Sequence, residues 1–277
     1  MSINKKQIIF LDTNILSDIG RFNEAQIRNI VLELSTKMEV LVAITPFNIL
    51  EIEKIPDETV KTRIKYFLNL VNLIVLKGMD VLFEDEIKFY KSQKPVNPMQ
   101  FITTLISKDK DGKPANYLSI LNHLLSSTEY IQALNDHYRL IENQRIAFHN
   151  KLPISNHEFV NLLFREHLIK LHPTLANADM SKVINCCPSY ISYAYSLYDK
   201  IGSKGLRKKA GEMNDTAMSY IFPYVGVVVT EKRQANLFNA LKNTNSIPSL
   251  NSTIFLKHSD VFFDGQFKLN QALSSQN

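Results

Sequence analysis

Four acidic residues that are far apart in this 277-residue sequence stand beside short apolar runs. They are Asp12, Glu51, Asp215 and Glu231. Carboxylates that lie close together raise each other's pKa unless a cation lies between them. Oxygen ligands without histidine or cysteine suit Mg²⁺ or Mn²⁺ rather than zinc. Such an ion would orient a phosphodiester, lower the pKa of a water and neutralise charge on phosphorus, so no side-chain nucleophile is required.

The apolar runs beside these acids predict buried parallel strands, because they are short and rich in β-branched residues. The predicted strands are Gln7–Leu11, Val40–Thr45, Gly226–Thr230 and Thr253–Lys257, with Met79–Phe83 as a further candidate. Helical spacing of apolar residues predicts helices over Asn23–Lys37, Pro46–Ile52, Asn214–Phe222 and Arg233–Leu241. Ligands bind outside the carboxyl ends of parallel strands, so we expect the four acids at one edge of the sheet.

The middle of the chain has a different pattern. From about residue 95 to residue 205 the apolar spacing is helical almost throughout. We therefore predict an α/β fold, with a central parallel sheet flanked by helices and a large all-helical insertion between its two halves. The predicted α/β domain is discontinuous, over residues 1–94 and 206–265, with the insertion at 95–205 and a polar tail at 266–277.

Composition excludes several classes of protein. No apolar run reaches the roughly 20 residues that a membrane-spanning helix needs, so we expect no membrane partner. The first residues lack the long apolar core of a secretory signal, which favours a mature cytoplasmic chain. The two cysteines, Cys186 and Cys187, are adjacent, which excludes a disulfide framework and a cysteine-built zinc site. The net charge of +5 slightly favours a polyanionic partner.

Each acid could also have a purely structural role. Asp12 and Asp215 could cap the helices that follow them, since Asp is common at that position. Glu51 could lie on a solvated helix face, and Glu231 could be an ordinary charged residue at the end of a strand. Only their joint placement at one edge of the sheet would form a metal site.

Three segments carrying these residues resemble the PIN-domain family of metal-dependent nucleases. The segment IIFLDTNILSDI has a buried strand, then Asp12, Thr13 and Asn14, then a helix. The segments VAITPFNILEIEK and NDTAMSYIFPYVGVVVT are similar to the family's elements that carry the second and third acids. The resemblance covers roughly residues 7–90 and 210–258 and places Glu51 and Asp215 on those acids, with Thr230 at the threonine that ends the next strand.

The resemblance implies a Mg²⁺- or Mn²⁺-dependent endonuclease that acts mainly on RNA, with DNA a less favoured substrate. Asp12, Glu51 and Asp215 would hold the metal, and a water would attack in line to leave 3′-hydroxyl and 5′-phosphate ends. Asn14 would hold the first loop or the metal's water shell. Many relatives are prokaryotic toxins restrained by an antitoxin, and others act in RNA processing or antiviral defence. The helical insertion could clamp substrate, form a homo-oligomer or dock an inhibitor or another protein partner.

The sequence departs from the family pattern after Thr230. The family usually has an acid two residues after that threonine, where this chain has Lys232. Glu231 could substitute as a metal ligand, and Lys232 could replace the missing cation or contact a phosphate. The departure leaves open a catalytically degenerate PIN-like protein that binds a partner or nucleic acid. A third interpretation is an enzyme that acts on DNA flaps or ends.

Two further segments have chemistry that suits nucleic acid. Four basic residues precede Asp215: Lys204, Arg207, Lys208 and Lys209. They could bind phosphates, or they could belong to a solvated loop. The segment Tyr190–Tyr198 could stack bases, although its helical spacing is typical of a buried helix.

Overall fold

The chain divides into two compact units. The first comprises Met1–Gly78, Asn97–Leu121 and Tyr224–Asn277, and the second comprises Met79–Val96 and Asn122–Pro223. The computed structural model describes residues 8–35, 40–92, 106–107, 112–126, 158–159, 173, 176–179, 182, 185–202 and 216–275. The predicted division into domains stays a prediction. Its boundaries at 94/95 and 205/206 fall within residues 93–105 and 203–215, which lie outside the described residues.

A five-stranded parallel sheet forms the centre of the first unit. Its strands are β1 (Ile8–Leu11), β2 (Leu41–Ile44), β3 (Asn72–Val75), β4 (Val227–Thr230) and β5 (Ile254–Lys257). Their order across the sheet is β3-β2-β1-β4-β5. The chain builds outward from β1 to β3 on one side and then adds β4 and β5 on the other, so the direction of connection reverses between β1 and β4. The predicted α/β fold with a central parallel sheet is confirmed.

Helices of the first unit flank the sheet. All four residues of β1 and of β4 are buried, as expected for parallel strands covered on both faces. The described helices are α1 (Thr13–Arg21), α2 (Glu24–Ser35), α3 (Pro46–Glu53), α4 (Glu58–Leu70), α5 (Met79–Lys91), α6 (Tyr117–Ser126), α7 (Pro188–Gly202), α8 (Lys232–Asn243), α9 (His258–Val261) and α10 (Leu269–Ser274). Short 3₁₀ helices cover Ser219–Tyr224 and Pro248–Leu250.

Helix α1, which carries the first candidate site residues at its start, packs closely on α4. A Cβ atom added at Gly20 would lie 2.8 Å from the Ile64 side chain and 2.8 Å from the Val60 carbonyl oxygen. Only glycine allows this approach, because the obstacle includes backbone as well as side chain. The contact fixes α1 against the helix that leads into β3.

The predicted strand over Met79–Phe83 is wrong. These residues begin α5, in which Met79, Leu82 and Glu86 are buried at spacings of three and four residues, the period of a helix. The third strand is β3, which directly follows α4. A short apolar run does not by itself distinguish a strand from a buried helix segment.

The C-terminal residues form more structure than the expected polar tail. Two short strands, β6 (Phe262–Phe263) and β7 (Gln266–Phe267), form an antiparallel hairpin. Its two-residue turn has positive φ angles of 48° at Asp264 and 70° at Gly265, the arrangement for which Asp-Gly is preferred. Helix α10 follows and buries Leu269 and Ala272. The Asp-Gly pair was the sequence signal for this hairpin.

In the second unit, a buried glutamate holds the start of α7. Glu86 of α5 accepts hydrogen bonds from the backbone N–H groups of Ser189, over 2.8 Å, and Tyr190, over 3.4 Å. A carboxylate at a helix N-terminus satisfies N–H groups that lack partners within the helix. None of the helices in the described residues is long and apolar enough to cross a bilayer.

Candidate functional site

Asp12 directly follows β1, at the carboxyl end of the neighbouring strands β1 and β4. This is the position where the direction of strand connection reverses. Its backbone N–H donates to the Val229 carbonyl oxygen over 3.0 Å, which extends the ladder between these strands by one residue. As N-cap of α1, it accepts the N–H of Thr13 on Oδ1 over 2.6 Å. Its Oδ2 accepts the hydroxyl of Thr230 over 2.7 Å. Both carboxyl oxygens are therefore fixed at the crevice where open α/β sheets bind ligands.

The environment of Asp12 raises its pKa from 3.8 to about 7. Burial is the largest cause, because the side chain loses the water that stabilises its charged form. The hydrogen bond from Thr230 opposes this increase, whereas the negative charges of Glu51 and Glu231 add to it. The structure thus brings two of the other predicted acids, Glu51 and Glu231, within electrostatic reach of Asp12, and a cation beside Asp12 would offset their negative charge.

Glu51 is positioned by the first turn of α3. Thr45 and Asn48 form a capping box, in which each side chain accepts the backbone N–H of the other. Pro46 occupies the first helical position, where its missing N–H has no consequence. Glu51 follows Asn48 by three residues and therefore lies on the same face of α3. The half-buried carboxylate of Glu51 acts on Asp12 from this face.

Asn48 is a site residue that sequence analysis missed. Its Oδ1 accepts the N–H and the hydroxyl of Thr45, each over 2.8 Å, and its Nδ2 donates to Thr13 Oγ1 over 3.0 Å. All three residues are buried. Asn48 therefore connects the helix that carries Glu51 to the residue that follows Asp12. The signal in the sequence was the Thr-Pro-x-Asn cap, but its long-range partner Thr13 has no local signature.

A hydrogen bond from α1 holds the side chain of Glu231 in place. It occupies the N-cap position of α8 but makes no side-chain cap hydrogen bond there. Its Oε1 instead accepts Asn14 Nδ2 over 2.7 Å. The two residues suggested as supporting or substitute ligands are therefore bonded to each other, beside Asp12. Lys232, the next residue, is exposed at the first position of α8.

Thr230 connects Asp12 to α8. Its Oγ1 lies 2.7 Å from Asp12 Oδ2 and 2.8 Å from Gln234 Oε1. A hydroxyl has one hydrogen, so it can donate to only one of these oxygens at a time. When the hydroxyl donates to Asp12, the amide of Gln234 can be reversed so that its NH₂ donates to Thr230. Gln234 is thus a second amide, also missed by sequence analysis, that supports a threonine bonded to Asp12.

Several predicted site residues lie outside the described residues. They are Asp215 and the basic residues Lys204, Arg207, Lys208 and Lys209. Within the described part of the chain, no group of three or more acidic, histidine or cysteine side chains is arranged to hold a metal ion. Glu51 and Glu231 therefore act electrostatically on Asp12, but in the described residues the three carboxylates are not gathered as a ready set of ligands.

The chemistry of the donors fits a hard divalent cation. The groups next to Asp12 present carboxylate, hydroxyl and amide oxygens, which are the ligands of Mg²⁺ and Mn²⁺. The two charged residues that raise the pKa of Asp12, Glu51 and Glu231, are both negative. The donor atoms beside Asp12 are therefore of the type that suits a cation rather than an anion.

The fold and the site define a class: an α/β protein whose five-stranded parallel sheet carries a buried aspartate at its topological switch point, compatible with a PIN-like fold. Comparison of the chain with known protein families, with curated proteins and with solved structures found no match.

The two cysteines before α7 and three of the four tyrosines of α7 are buried. Both cysteines are free thiols, and burial is the main cause that raises the pKa of Cys187, which disfavours the reactive thiolate. Tyr190, Tyr193 and Tyr195 are also buried, as the helical spacing indicated. These three rings are part of a core and present no open surface for stacking bases.

Proposed function

We propose that this chain is a Mg²⁺- or Mn²⁺-dependent endoribonuclease. The observation that carries the proposal is the buried Asp12 at the β1–β4 switch point, held at both oxygens and influenced by two further carboxylates. Burial of a carboxyl group among like charges is unfavourable for folding and is typical of functional sites. Asp12, Glu51 and Asp215 are the proposed metal ligands, with Glu231 as a fourth.

Each residue near Asp12 has a definite role in this proposal. The N–H of Thr13 and the hydroxyl of Thr230 hold the carboxyl group in one orientation. Its remaining lone pairs would bind the ion. Asn14 orients Glu231 toward the same place. A divalent ion, when bound, would orient the phosphodiester and lower the pKa of an attacking water. Hydrolysis would leave a 3′-hydroxyl and a 5′-phosphate.

The family resemblance also indicates a biological role for the proposed nuclease. A toxin or an antiviral-defence effector that cleaves RNA is the role we propose. In that role, an inhibitor or another protein would bind the helical region between the two halves of the sheet. The basic residues at 204–209 would contact phosphates of the RNA.

A second candidate function is a catalytically degenerate PIN-like protein that binds a partner or nucleic acid. Two observations favour it: the described residues lack a ready three-ligand set, and Lys232 stands where the family has an acid. This candidate predicts that RNA can bind without being cleaved.

Metal titration with matched variants separates these functions. Binding of Mn²⁺ is measured by calorimetry for the wild type, Asp12→Asn and Asp18→Asn. Asp18 is the matched control, because it lies on the same helix but pairs with Arg21 and His258. We expect Asp12→Asn to lose Mn²⁺ binding and Asp18→Asn to retain it.

Cleavage of labelled RNA and DNA by the same proteins completes the test. RNA cleavage that requires Mg²⁺ or Mn²⁺ and disappears in Asp12→Asn supports the nuclease. Equal cleavage by wild type and Asp12→Asn would identify a contaminant and remove the proposal. Binding of RNA without cleavage would favour the degenerate protein, and cleavage of DNA alone would replace RNA as the substrate.

A further inference from the structure

Three residues occupy equivalent positions at the carboxyl ends of adjacent strands. Thr230 of β4 pairs with Lys257 of β5. Leu11 pairs with Val229, and the bond from Asp12 N–H to the Val229 carbonyl continues this register. Asp12, Thr230 and Lys257 therefore form a row. Neighbouring strands are about 4.8 Å apart, so the backbone at Lys257 lies roughly 10 Å from that at Asp12.

The side chains of this row belong to one face of the sheet. Paired residues on parallel strands point to the same side, and the hydrogen bond between Asp12 and Thr230 agrees with this. Phe255, two residues before Lys257, shares its face and stacks on Phe238 of α8, with ring centroids 5.4 Å apart. The row thus lies on the face covered by α8 and ends in an acid on one side and a base on the other.

Lys257 has a charge that the described structure does not use. Its backbone N–H donates to Asp260 Oδ2 over 2.8 Å, which uses that carboxylate as a cap for α9. Its half-exposed side chain forms no ion pair with any residue in the described ranges. The ammonium group therefore does not have to break an ion pair with a described residue before it contacts a ligand at the carboxyl edge of the sheet.

We propose that Lys257 binds a phosphate of a single-stranded RNA that lies across the carboxyl ends of β1, β4 and β5. This rests on the function proposed above and adds a substrate contact to that site. The acids repel an RNA backbone, so a cation beside them contributes to holding the strand. Lysine binds phosphate as a point charge, which suits a contact that positions the backbone without reading the base. A phosphate at Lys257 would place a neighbouring part of the strand beside Asp12.

The salt dependence of RNA binding tests this contact. Binding of a labelled single-stranded oligouridylate is measured by fluorescence anisotropy over a range of KCl concentrations, with Ca²⁺ in place of Mg²⁺ to prevent cleavage. The proteins are the full-length wild type, Lys257→Gln, Lys257→Arg and Lys242→Gln. Lys242 is the matched control, because its ammonium donates to the Thr253 carbonyl, just before β5 and so at the opposite edge of the sheet.

We expect Lys257→Gln to weaken RNA binding several-fold and to reduce the slope of log affinity against log salt by about 0.7, the value for one phosphate contact on a single strand. Lys257→Arg should restore both, and Lys242→Gln should behave as the wild type. An unchanged affinity and slope in Lys257→Gln, or an equal effect in Lys242→Gln, would overturn the proposal. A Lys257-dependent slope seen with a DNA strand but not with RNA would also overturn it.

These results remain separate from the test of cleavage. A wild type that binds RNA through Lys257 and cleaves none contradicts the nuclease and retains the phosphate contact. A wild type that cleaves RNA with no change in salt slope for Lys257→Gln contradicts the phosphate contact alone.

Discussion

At the scale of single residues, the orientation of Asp12 depends on two threonines that come from opposite ends of the chain. Thr13 supplies a backbone N–H and Thr230 supplies a hydroxyl, one to each carboxyl oxygen. Each threonine is in turn contacted by an amide side chain, from Asn48 or from Gln234. Hydrogen bonds to the charged form of a carboxyl group lower its pKa, so this arrangement partly offsets the effect of burial.

Replacement of Thr230 by valine should raise the pKa of Asp12 above its value of about 7, because the hydrogen bond from Thr230 lowers that pKa. A smaller fraction of Asp12 would then be ionised near neutral pH. We expect the pH at which Mn²⁺ binding is half-maximal to move upward, with affinity reduced at acidic pH and largely recovered at alkaline pH. Calorimetric titrations across this pH range measure the shift.

Thr230→Ser is the matched control for this change, since it keeps the hydroxyl and removes one methyl group. It should retain a midpoint close to that of the wild type. The same midpoint in Thr230→Val and wild type would show that the hydroxyl does not control the ionisation of Asp12.

At the scale of elements, the start of α3 is fixed both within the helix and against α1. The capping box holds Thr45 and Asn48 together, and the bond from Asn48 to Thr13 joins two helices that begin at the carboxyl edge of the sheet. Both helices begin at the same edge of the sheet because the strands that precede them are parallel. The buried amide is what connects them there.

The variant Asn48→Ala should lower the free energy of unfolding by about 1–3 kcal/mol, because buried polar groups of Thr45 and Thr13 lose partners. Denaturant unfolding followed by circular dichroism measures the loss. Asn239→Ala is the control, since the Nδ2 of Asn239 makes a long hydrogen bond of 3.4 Å to the Phe255 carbonyl. We expect the control to lose less than about 1 kcal/mol. Equal losses would mean that Asn48 has no special part in joining α3 to α1.

At the scale of the whole molecule, the buried carboxyl group of Asp12 makes stability depend on pH. Its pKa is about 7 in the folded chain against 3.8 for the exposed group. Between these values the folded state holds a proton that the unfolded state has released. The free energy of unfolding therefore falls as pH rises from about 4 to about 7, and this contribution is constant above that range.

The variant Asp12→Asn should remove this penalty in metal-free buffer. At 1.4 kcal/mol per pH unit, the unfavourable contribution reaches roughly 4 kcal/mol above pH 7 and vanishes below pH 4. We expect Asp12→Asn to be more stable than the wild type at pH 8, by a margin that shrinks toward pH 5. The asparagine can keep the contact with Thr13 through its oxygen and donate to Thr230 through its nitrogen.

Thermal unfolding with a chelator present, compared at several pH values, measures this difference. Asp18→Asn provides the control for loss of a charge on the same helix. A wild-type stability that rises from pH 5 to pH 8 relative to Asp12→Asn has the opposite sign and would contradict the raised pKa.

The sequence determined the type and approximate position of many elements of the α/β unit. Short β-branched runs marked β1, β2, β4 and β5, and helical spacing marked α2, α3 and α8. These patterns are local, since side chains alternate every two residues along a strand and every 3.6 around a helix. They also placed Asp12, Glu51 and Glu231 after strands or on the helices that follow them. The same local information failed at Met79–Phe83, where a short apolar run begins a helix.

Only the tertiary structure decided which of these residues meet. The strand order places β4 beside β1, and the register puts Thr230 opposite Asp12 and Lys257 opposite Thr230. The bond from Asn48 to Thr13 spans 35 positions, and that from Asn14 to Glu231 spans 217. Pairing between distant segments has no local period, because it is fixed by the joint burial of strand and helix faces after the chain has folded. The sequence thus supplied the charged and hydroxyl groups, and the packing of the sheet with its helices set which of them share one carboxyl edge.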